Sequence, residues 1–177
     1  MDTLNTERPQ PGLIRISLST LERKEMGVQL DSVEKILDFA IGQEEEAAKF
    51  YSDLAGRMEH EHMRRVFLDF AQEEKGHKAK LVNIKHGGQM LPAEQRVLDM
   101  KLGDHMRDIQ LSAEMDYKEA LIVAMKAEKA AFKLYHHLAS ATDDPGLKAT
   151  LLGLANEEAK HKLRFEIEYE DEFLQEN

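Results

Sequence analysis

The sequence predicts an all-α protein folded as a four-helix bundle, and three observations support this prediction. Its 177 residues are 42% hydrophobic and 33% charged with only four prolines, a composition typical of a helical globular domain. Four long segments carry apolar residues at helical spacing. The chain also repeats itself: residues 36–81 align with residues 120–165 without a gap, and 14 of the 46 positions are identical. Two similar helical hairpins that face each other most simply form a four-helix bundle.

The first helix is predicted over residues 32–58, where Ser32 or the residue before it can accept hydrogen bonds from the backbone N–H groups of the first turn. The second helix is predicted over residues 62–86. Gly87 and Gly88 end it, because glycine readily adopts the backbone conformations that close a helix.

The third helix is predicted over residues 116–141, where Asp116 and Glu119 have the spacing of a capping box. The fourth is predicted over residues 147–175, after a turn with the sequence TDDPG that places Pro145 near the helix start.

Two domain-level predictions follow, namely an N-terminal arm over residues 1–30 and one bundle domain over residues 31–177. Residues 87–115 are too many for a simple turn, so they are predicted to cross over between the second and third helices.

The first residues lack the basic and apolar regions of a signal peptide, and no apolar run approaches the roughly 20 residues that span a bilayer. We therefore expect a cytoplasmic protein.

Charge and cysteine content exclude several classes of function. The formal net charge is −10 and no block of lysine and arginine stands out, which argues against nucleic acid or an anionic membrane as partner. The chain has no cysteine, which excludes disulfides, thiolate zinc sites, a thiol nucleophile and iron held by four cysteines.

Charged residues interrupt the apolar face of every predicted helix. Glu74 and His77, for example, lie one turn apart on the arc that also carries Phe67 and Phe70. Burying an unpaired carboxylate costs several kcal/mol, so something must meet these groups inside. Six such residues are predicted to converge on one interior: Glu44, Glu74, His77, Glu128, Glu158 and His161.

These six residues indicate a dinuclear metal site. Without cations, four carboxylates in one cavity raise one another's pKa, whereas two divalent ions balance them and leave both histidines neutral as nitrogen ligands. Carboxylate and imidazole ligands without thiolate favour iron or manganese, and zinc can substitute. A buried Glu–His network that binds no metal is the alternative, but the presence of two copies of the motif favours the metal site.

Other residues near the site receive less specific predictions. Tyr51 and Tyr135 are either ordinary core residues or donors of hydrogen bonds to the ligand carboxylates. Lys78 and Lys162 are predicted to extend outward. The residues predicted at edges, loops or outer faces are Glu45, Glu46, Glu73, Glu157, His60, His62, His86, His105, His136 and His137.

Over residues 32–170 the sequence resembles the rubrerythrin group of the ferritin-like superfamily. The resemblance rests on two Glu-x-x-Ala-x-x-x-Tyr segments and two Glu-Glu-x-x-His segments that occur in order. It implies a ferritin-like four-helix bundle with a long crossover between helices 2 and 3, and a site for two iron ions. By position, it implies that Glu74 and Glu158 bridge the ions, that Glu44 and His77 complete one ion's ligands, and that Glu128 and His161 complete the other's.

The sequence departs from the rubrerythrin pattern in two respects. It lacks the rubredoxin-like cysteine domain, and Ala131 stands where those proteins have a further glutamate linked to peroxide reduction. The remaining six ligands are similar to those of a bacterioferritin-type ferroxidase centre.

The leading functional hypothesis is a di-iron redox protein that reduces O2 or hydrogen peroxide and draws electrons from an external donor. One alternative is a ferroxidase or iron-storage protein. The other is a non-enzymatic helical interaction module in which the metal only stabilises the fold. We also expect a homodimer, and no nucleic-acid or membrane partner.

Overall fold

The computed structural model describes residue 30, residues 32–88 and residues 115–174 of the chain. Within this part the protein is all-α, as predicted, and consists of four helices. They are α1 (Val33–Ala55), α2 (Glu61–Lys85), α3 (Tyr117–Ser140) and α4 (Pro145–Phe173). All but the last residue of the predicted N-terminal arm and most of the predicted crossover lie outside the described residues.

Side-chain caps determine where three of the helices begin. Ser32 accepts from the Lys35 backbone N–H at 3.2 Å, and Asp116 accepts from that of Glu119 at 2.7 Å. Asp144 accepts from the Leu147 backbone N–H at 2.7 Å, so α4 begins at the following proline, two residues earlier than predicted. Proline suits this first position because its missing N–H would have no partner there.

Short loops join α1 to α2 and α3 to α4, so each of these two pairs forms a hairpin. Helix α1 packs along α2, and α3 packs along α4. Helix α1 ends three residues before its predicted end, at the Gly56 C-cap, and α2 follows after a short loop. Gly87, with a φ of +92°, follows the end of α2 as the sequence predicted.

The core consists of two apolar clusters separated by a polar layer. One cluster contains the rings of Tyr51, Phe67, Phe70 and Phe165 among other residues. The other is mostly aliphatic and includes Leu37, Leu81, Leu138 and Leu151. Along each helix the residues of the predicted polar set fall between the residues of the two clusters, and these residues are Glu44, Glu74, His77, Glu128, Glu158 and His161. The polar residues therefore form a layer across the middle of the bundle.

One buried ion pair contradicts the sequence-based prediction. Lys162 does not extend outward but is buried in α4, where its ammonium donates to Glu166 at 2.6 Å. A lysine can be buried in this way when a carboxylate one turn away on the same helix neutralises it. Lys78 remains partly exposed and pairs with Glu45 at 3.1 Å.

None of the helices in the described ranges combines the length and apolar character needed to cross a membrane.

Candidate metal centre

All six residues predicted to converge do so, and all are buried. Helix α1 supplies Glu44 and α3 supplies Glu128, each from the middle of its apolar face. Helices α2 and α4 each supply a glutamate and, three residues later, a histidine. Residues at this spacing lie on the same side of a helix, so each pair enters the interior together.

Three carboxylates surround the Nδ1 atom of His77. The nearest is Glu74, whose Oε2 lies 3.1 Å away and forms a hydrogen bond with it. Glu44 Oε2 and Glu158 Oε1 each lie 3.5 Å away. This half of the site therefore presents one nitrogen and three oxygens to a common centre.

The same arrangement surrounds His161, with the roles of the hairpins exchanged. Its Nδ1 lies 3.0 Å from Glu74 Oε1, 3.4 Å from Glu158 Oε2 and 3.8 Å from Glu128 Oε2. The two imidazole rings are nearly parallel, with centroids 5.3 Å apart. The sequence repeat is thus reproduced as two similar halves of one site.

Glu74 and Glu158 belong to both halves. Each of these carboxylates directs one oxygen towards His77 and the other towards His161. Two groups of candidate ligands result, and these two residues are common to them. One group adds Glu44 and His77, and the other adds Glu128 and His161.

The chemistry of these groups fits metal ions. In the described part of the chain, Glu74 Oε1, Glu158 Oε1 and His161 Nδ1 are buried without a well-directed hydrogen bond, although the first and last of these atoms lie 3.0 Å apart. Such burial is costly unless a ligand meets the atoms. Two atoms that bind one ion at about 2.1 Å lie roughly 3 to 3.5 Å apart, close to the separations around both histidines.

Two tyrosines hold the outer carboxylates in place. The Tyr51 hydroxyl donates to Glu128 Oε1, and the Tyr135 hydroxyl donates to Glu44 Oε1. Both hydrogen bonds join the two hairpins. Burial, together with the neighbouring carboxylate charge, raises the pKa of each phenol well above its ordinary value, so each hydroxyl keeps its proton and donates it.

The four carboxylates divide into two electrostatic classes. Burial raises the pKa of Glu44 to about 8, and burial with the charge of Glu158 raises the pKa of Glu128 well above its usual range. Burial also opposes ionisation of Glu74 and Glu158, but the two adjacent imidazoles hold the pKa of both below the usual range. The prediction of raised values is therefore correct for the outer pair and wrong for the shared pair.

The carboxylates of the site favour the protonated form of both histidines. Burial alone lowers the pKa of an imidazole, but the three carboxylates around His77 outweigh this effect and raise its pKa to about 12. The pKa of His161 is likewise raised, by Glu128, Glu158, Glu73 and Glu74. A cation that binds at Nδ1 must displace these protons, so cations and protons compete for the site.

One residue at this site, Glu73, is not among those that the sequence predicts there. Glu73 was predicted to lie in solvent, but its Oε2 is 3.1 Å from His161 Nε2. Hydrogen bonding to His161, together with the Arg164 guanidinium, outweighs partial burial and lowers the Glu73 pKa to about 2. Position 73 lies at the edge of the α2 apolar arc, and this edge position was the available signal.

Other residues predicted at edges, loops or outer faces lie there in the structure, where they can be checked. Glu45 is exposed and Glu157 pairs with Lys160 at 2.9 Å. His62 lies at the surface within ion-pair distance of Glu168 and Glu172. His105 lies outside the described residues.

Comparison with known proteins supports the predicted resemblance. Residues 35–97 match the family model for Rubrerythrin. An uncharacterized conserved protein from Magnetospirillum magnetotacticum MS-1 is 26% identical with a TM-score of 0.60, over 79% of this chain and 95% of that one. A hypothetical protein from Pyrococcus furiosus is 28% identical with a TM-score of 0.56, over 79% of this chain and 89% of that one. No curated protein matches the chain. The rubrerythrin resemblance and the all-α four-helix fold are thus confirmed.

Proposed function

We propose that the protein is a di-iron redox protein that reduces O2 or hydrogen peroxide, because residues 35–97 match the rubrerythrin family model and two buried groups of glutamates and histidines could hold metal ions. An external donor would re-reduce the oxidised iron. The sequence has no cysteine and therefore no cysteine-bound iron that could supply these electrons. Manganese or zinc could occupy the same ligands, but zinc would not supply redox chemistry.

The observation that carries this proposal is the pair of overlapping ligand groups with Glu74 and Glu158 in common. Four carboxylates in one buried layer balance the charge of two divalent ions. A single structural ion would need neither the second histidine nor the doubled set of carboxylates.

Bound iron would supply electrons one at a time to the oxidant. The side chains of the site would hold the iron ions in place. Glu74 and Glu158 would keep the two ions close together, while the tyrosine hydroxyls orient the outer carboxylates. On one side, Phe70 contacts the edge of His161 and stacks on Phe165, with ring centroids 5.2 and 3.8 Å apart respectively. This apolar wall would limit access of water to the site.

Iron oxidation for storage or transfer is the second candidate, and Ala131 favours it. This residue packs against the aliphatic cluster and brings no carboxylate to the site. The centre would then have six ligand residues, as in the bacterioferritin-type ferroxidase centres that the sequence resembles. A module with an inert structural metal is the third candidate.

Metal analysis followed by rapid mixing tests these candidates. Protein purified without oxygen is loaded with Fe(II), mixed with O2 or with hydrogen peroxide, and then re-reduced. We expect two irons per chain that stay bound through repeated cycles. Progressive loading beyond two irons would favour storage instead, and bound iron that neither oxidant oxidises would favour the structural module.

The matched pair for this experiment is Glu44→Gln and Glu45→Gln. The two residues are adjacent on α1, but only Glu44 faces the buried layer, whereas Glu45 is exposed. Oxidation should be impaired in the first variant and unchanged in the second. Equal behaviour of the two variants would contradict the proposed site.

A further inference from the structure

The two halves of the candidate metal centre differ in what lies behind their histidines. Behind His161, Glu73 of the other hairpin places Oε2 3.1 Å from Nε2. The second oxygen of Glu73 accepts from Arg164, whose guanidinium lies over the Phe70 ring at 4.3 Å. The carboxylate is therefore held from two sides, although its side chain is 41% exposed.

The equivalent contact is absent from the other half. By the sequence repeat, Glu157 corresponds to Glu73 and His77 to His161. In the part of the chain that the structure describes, the Glu157 carboxylate pairs with Lys160, and the carboxylates within ion-pair distance of His77 are those of the site itself. The repeat is symmetric in sequence but not in this contact.

A carboxylate behind a histidine changes how that histidine binds metal. By accepting the Nε2–H, Glu73 selects the tautomer whose Nδ1 lone pair faces the buried layer, and it makes that lone pair more basic. It also limits rotation of the ring, which Phe70 already contacts edge-on at 5.2 Å. The His77 ring stacks on the His161 ring, but no carboxylate of the described residues occupies the place behind it that Glu73 occupies behind His161.

We propose that Glu73 is a positioning residue that makes the ion position at His161 tighter than the one at His77. This inference rests on the proposed function, because it assumes two ions at the site. A divalent cation then loads in order, first among Glu74, Glu128, Glu158 and His161, and second at the position completed by Glu44 and His77. Removing Glu73 weakens the first step and leaves the second unchanged.

Calorimetric titration of the full chain with Co(II) tests the order of loading. Co(II) is a divalent probe whose visible spectrum reports each site without turnover. The wild type should show two steps of different affinity. His161→Ala should abolish the tighter step, and His77→Ala the weaker one.

Glu73→Gln and Glu157→Gln form the matched pair. Loss of such a partner typically costs 10- to 100-fold in metal affinity, so Glu73→Gln should weaken the tighter step by about that factor and change its cobalt spectrum. Glu157→Gln should change neither step. Thermal unfolding of both variants without metal checks that a weakened step does not come from misfolding.

Several outcomes would overturn the proposal while leaving the redox function open. These are two cobalt ions bound with equal affinity in the wild type, a Glu73→Gln variant with both steps unchanged, or a Glu157→Gln variant weakened as much as Glu73→Gln. A different result would separate the two proposals: cobalt binds in sequence, but neither O2 nor hydrogen peroxide oxidises the bound iron. This result would contradict the redox function and support the positioning role. A protein that binds no cobalt at all would contradict both proposals.

Discussion

At the scale of single residues, Glu74 and Glu158 matter most because each faces both histidines. Replacing either one by alanine removes an oxygen from both ligand groups, whereas loss of Glu44 affects only one group. We expect Glu74→Ala and Glu158→Ala to abolish the paired site and to retain less than one ion per chain in elemental analysis. Glu45→Ala should keep the full metal content, since Glu45 is exposed and pairs with Lys78. A Glu45→Ala protein as depleted as Glu74→Ala would show that the assigned ligands are wrong.

The contact between Glu73 and His161 changes one expectation from the sequence. If Glu73 only faced solvent, its loss would leave the metal content intact. Because it contacts His161, we now expect a weaker ion at that half of the site. Glu73 and Glu74 are neighbours in sequence, but Glu73 contacts Nε2 of His161 whereas Glu74 faces its Nδ1.

The tyrosine hydroxyls give a second prediction at this scale. Tyr51→Phe and Tyr135→Phe keep the packed rings but leave Glu128 or Glu44 without a buried donor. A buried acceptor without its partner typically costs about 1 to 3 kcal/mol. Denaturant unfolding of metal-loaded protein should show a loss of this size for each variant. Stability equal to the wild type would mean that the hydroxyls do not support the carboxylates.

At the scale of elements, the helix caps are unequal. Helices α1, α3 and α4 each have a side-chain cap, whereas His60 at the start of α2 makes no capping hydrogen bond. The His60 backbone is extended, with φ −88° and ψ 136°, which suits a capping aspartate.

This inequality predicts opposite effects of two substitutions. His60→Asp should stabilise the protein and Asp144→Ala should destabilise it, each by about 1 kcal/mol, because a cap satisfies a free N–H of the first turn. Melting temperatures should move up for the first variant and down for the second. A melting temperature for His60→Asp at or below that of the wild type would mean that the α2 start cannot use a cap.

At the scale of the whole molecule, the buried charges predict how stability depends on pH. Glu44 binds its proton more tightly in the folded chain, since its pKa is raised from 4.5 to about 8, and so does His77, whose pKa is raised from 6.5 to about 12. Stability from these groups is present at low pH and is lost as pH rises through those ranges. Glu73, lowered from 4.5 to about 2, acts in the opposite direction and loses its contribution as pH falls below 4.5.

Chelator-treated protein should therefore be most stable near pH 4.5, and less stable as pH rises towards 8. Metal-loaded protein should show the reverse trend in this range, because protons displace the cations as pH falls. Melting curves of both forms between about pH 5 and 8 provide the measurement. Curves that coincide throughout would indicate that the polar layer binds no metal.

The state of association remains a prediction from the sequence. We expect a homodimer, because apolar residues such as Leu13, Ile14, Val97 and Leu98 lie outside the four predicted helices, in the arm and the crossover. These residues fall outside the described part of the chain. Light scattering should give twice the monomer mass of 20.3 kDa. A shell of 24 subunits would contradict the dimer and favour iron storage.

The sequence by itself determined the helices, the N-terminal caps of α1 and α3 and the six residues of the polar layer. All of these are encoded locally, since a helix places residues three or four apart on one face whatever it packs against. The repeat added the information that two such faces meet. Glu44 and Glu128 could thus be grouped with residues about 30 positions away in the chain.

Only the tertiary structure decided how side chains meet across the helices. It pairs Tyr51 with Glu128 and not with Glu44 of its own helix. It also brings Glu73 to His161 and buries Lys162. These contacts depend on the rotation and relative height of packed helices, which are set by how side chains of different helices interlock. Helical periodicity gives the face on which a residue lies, but not the partner it meets there.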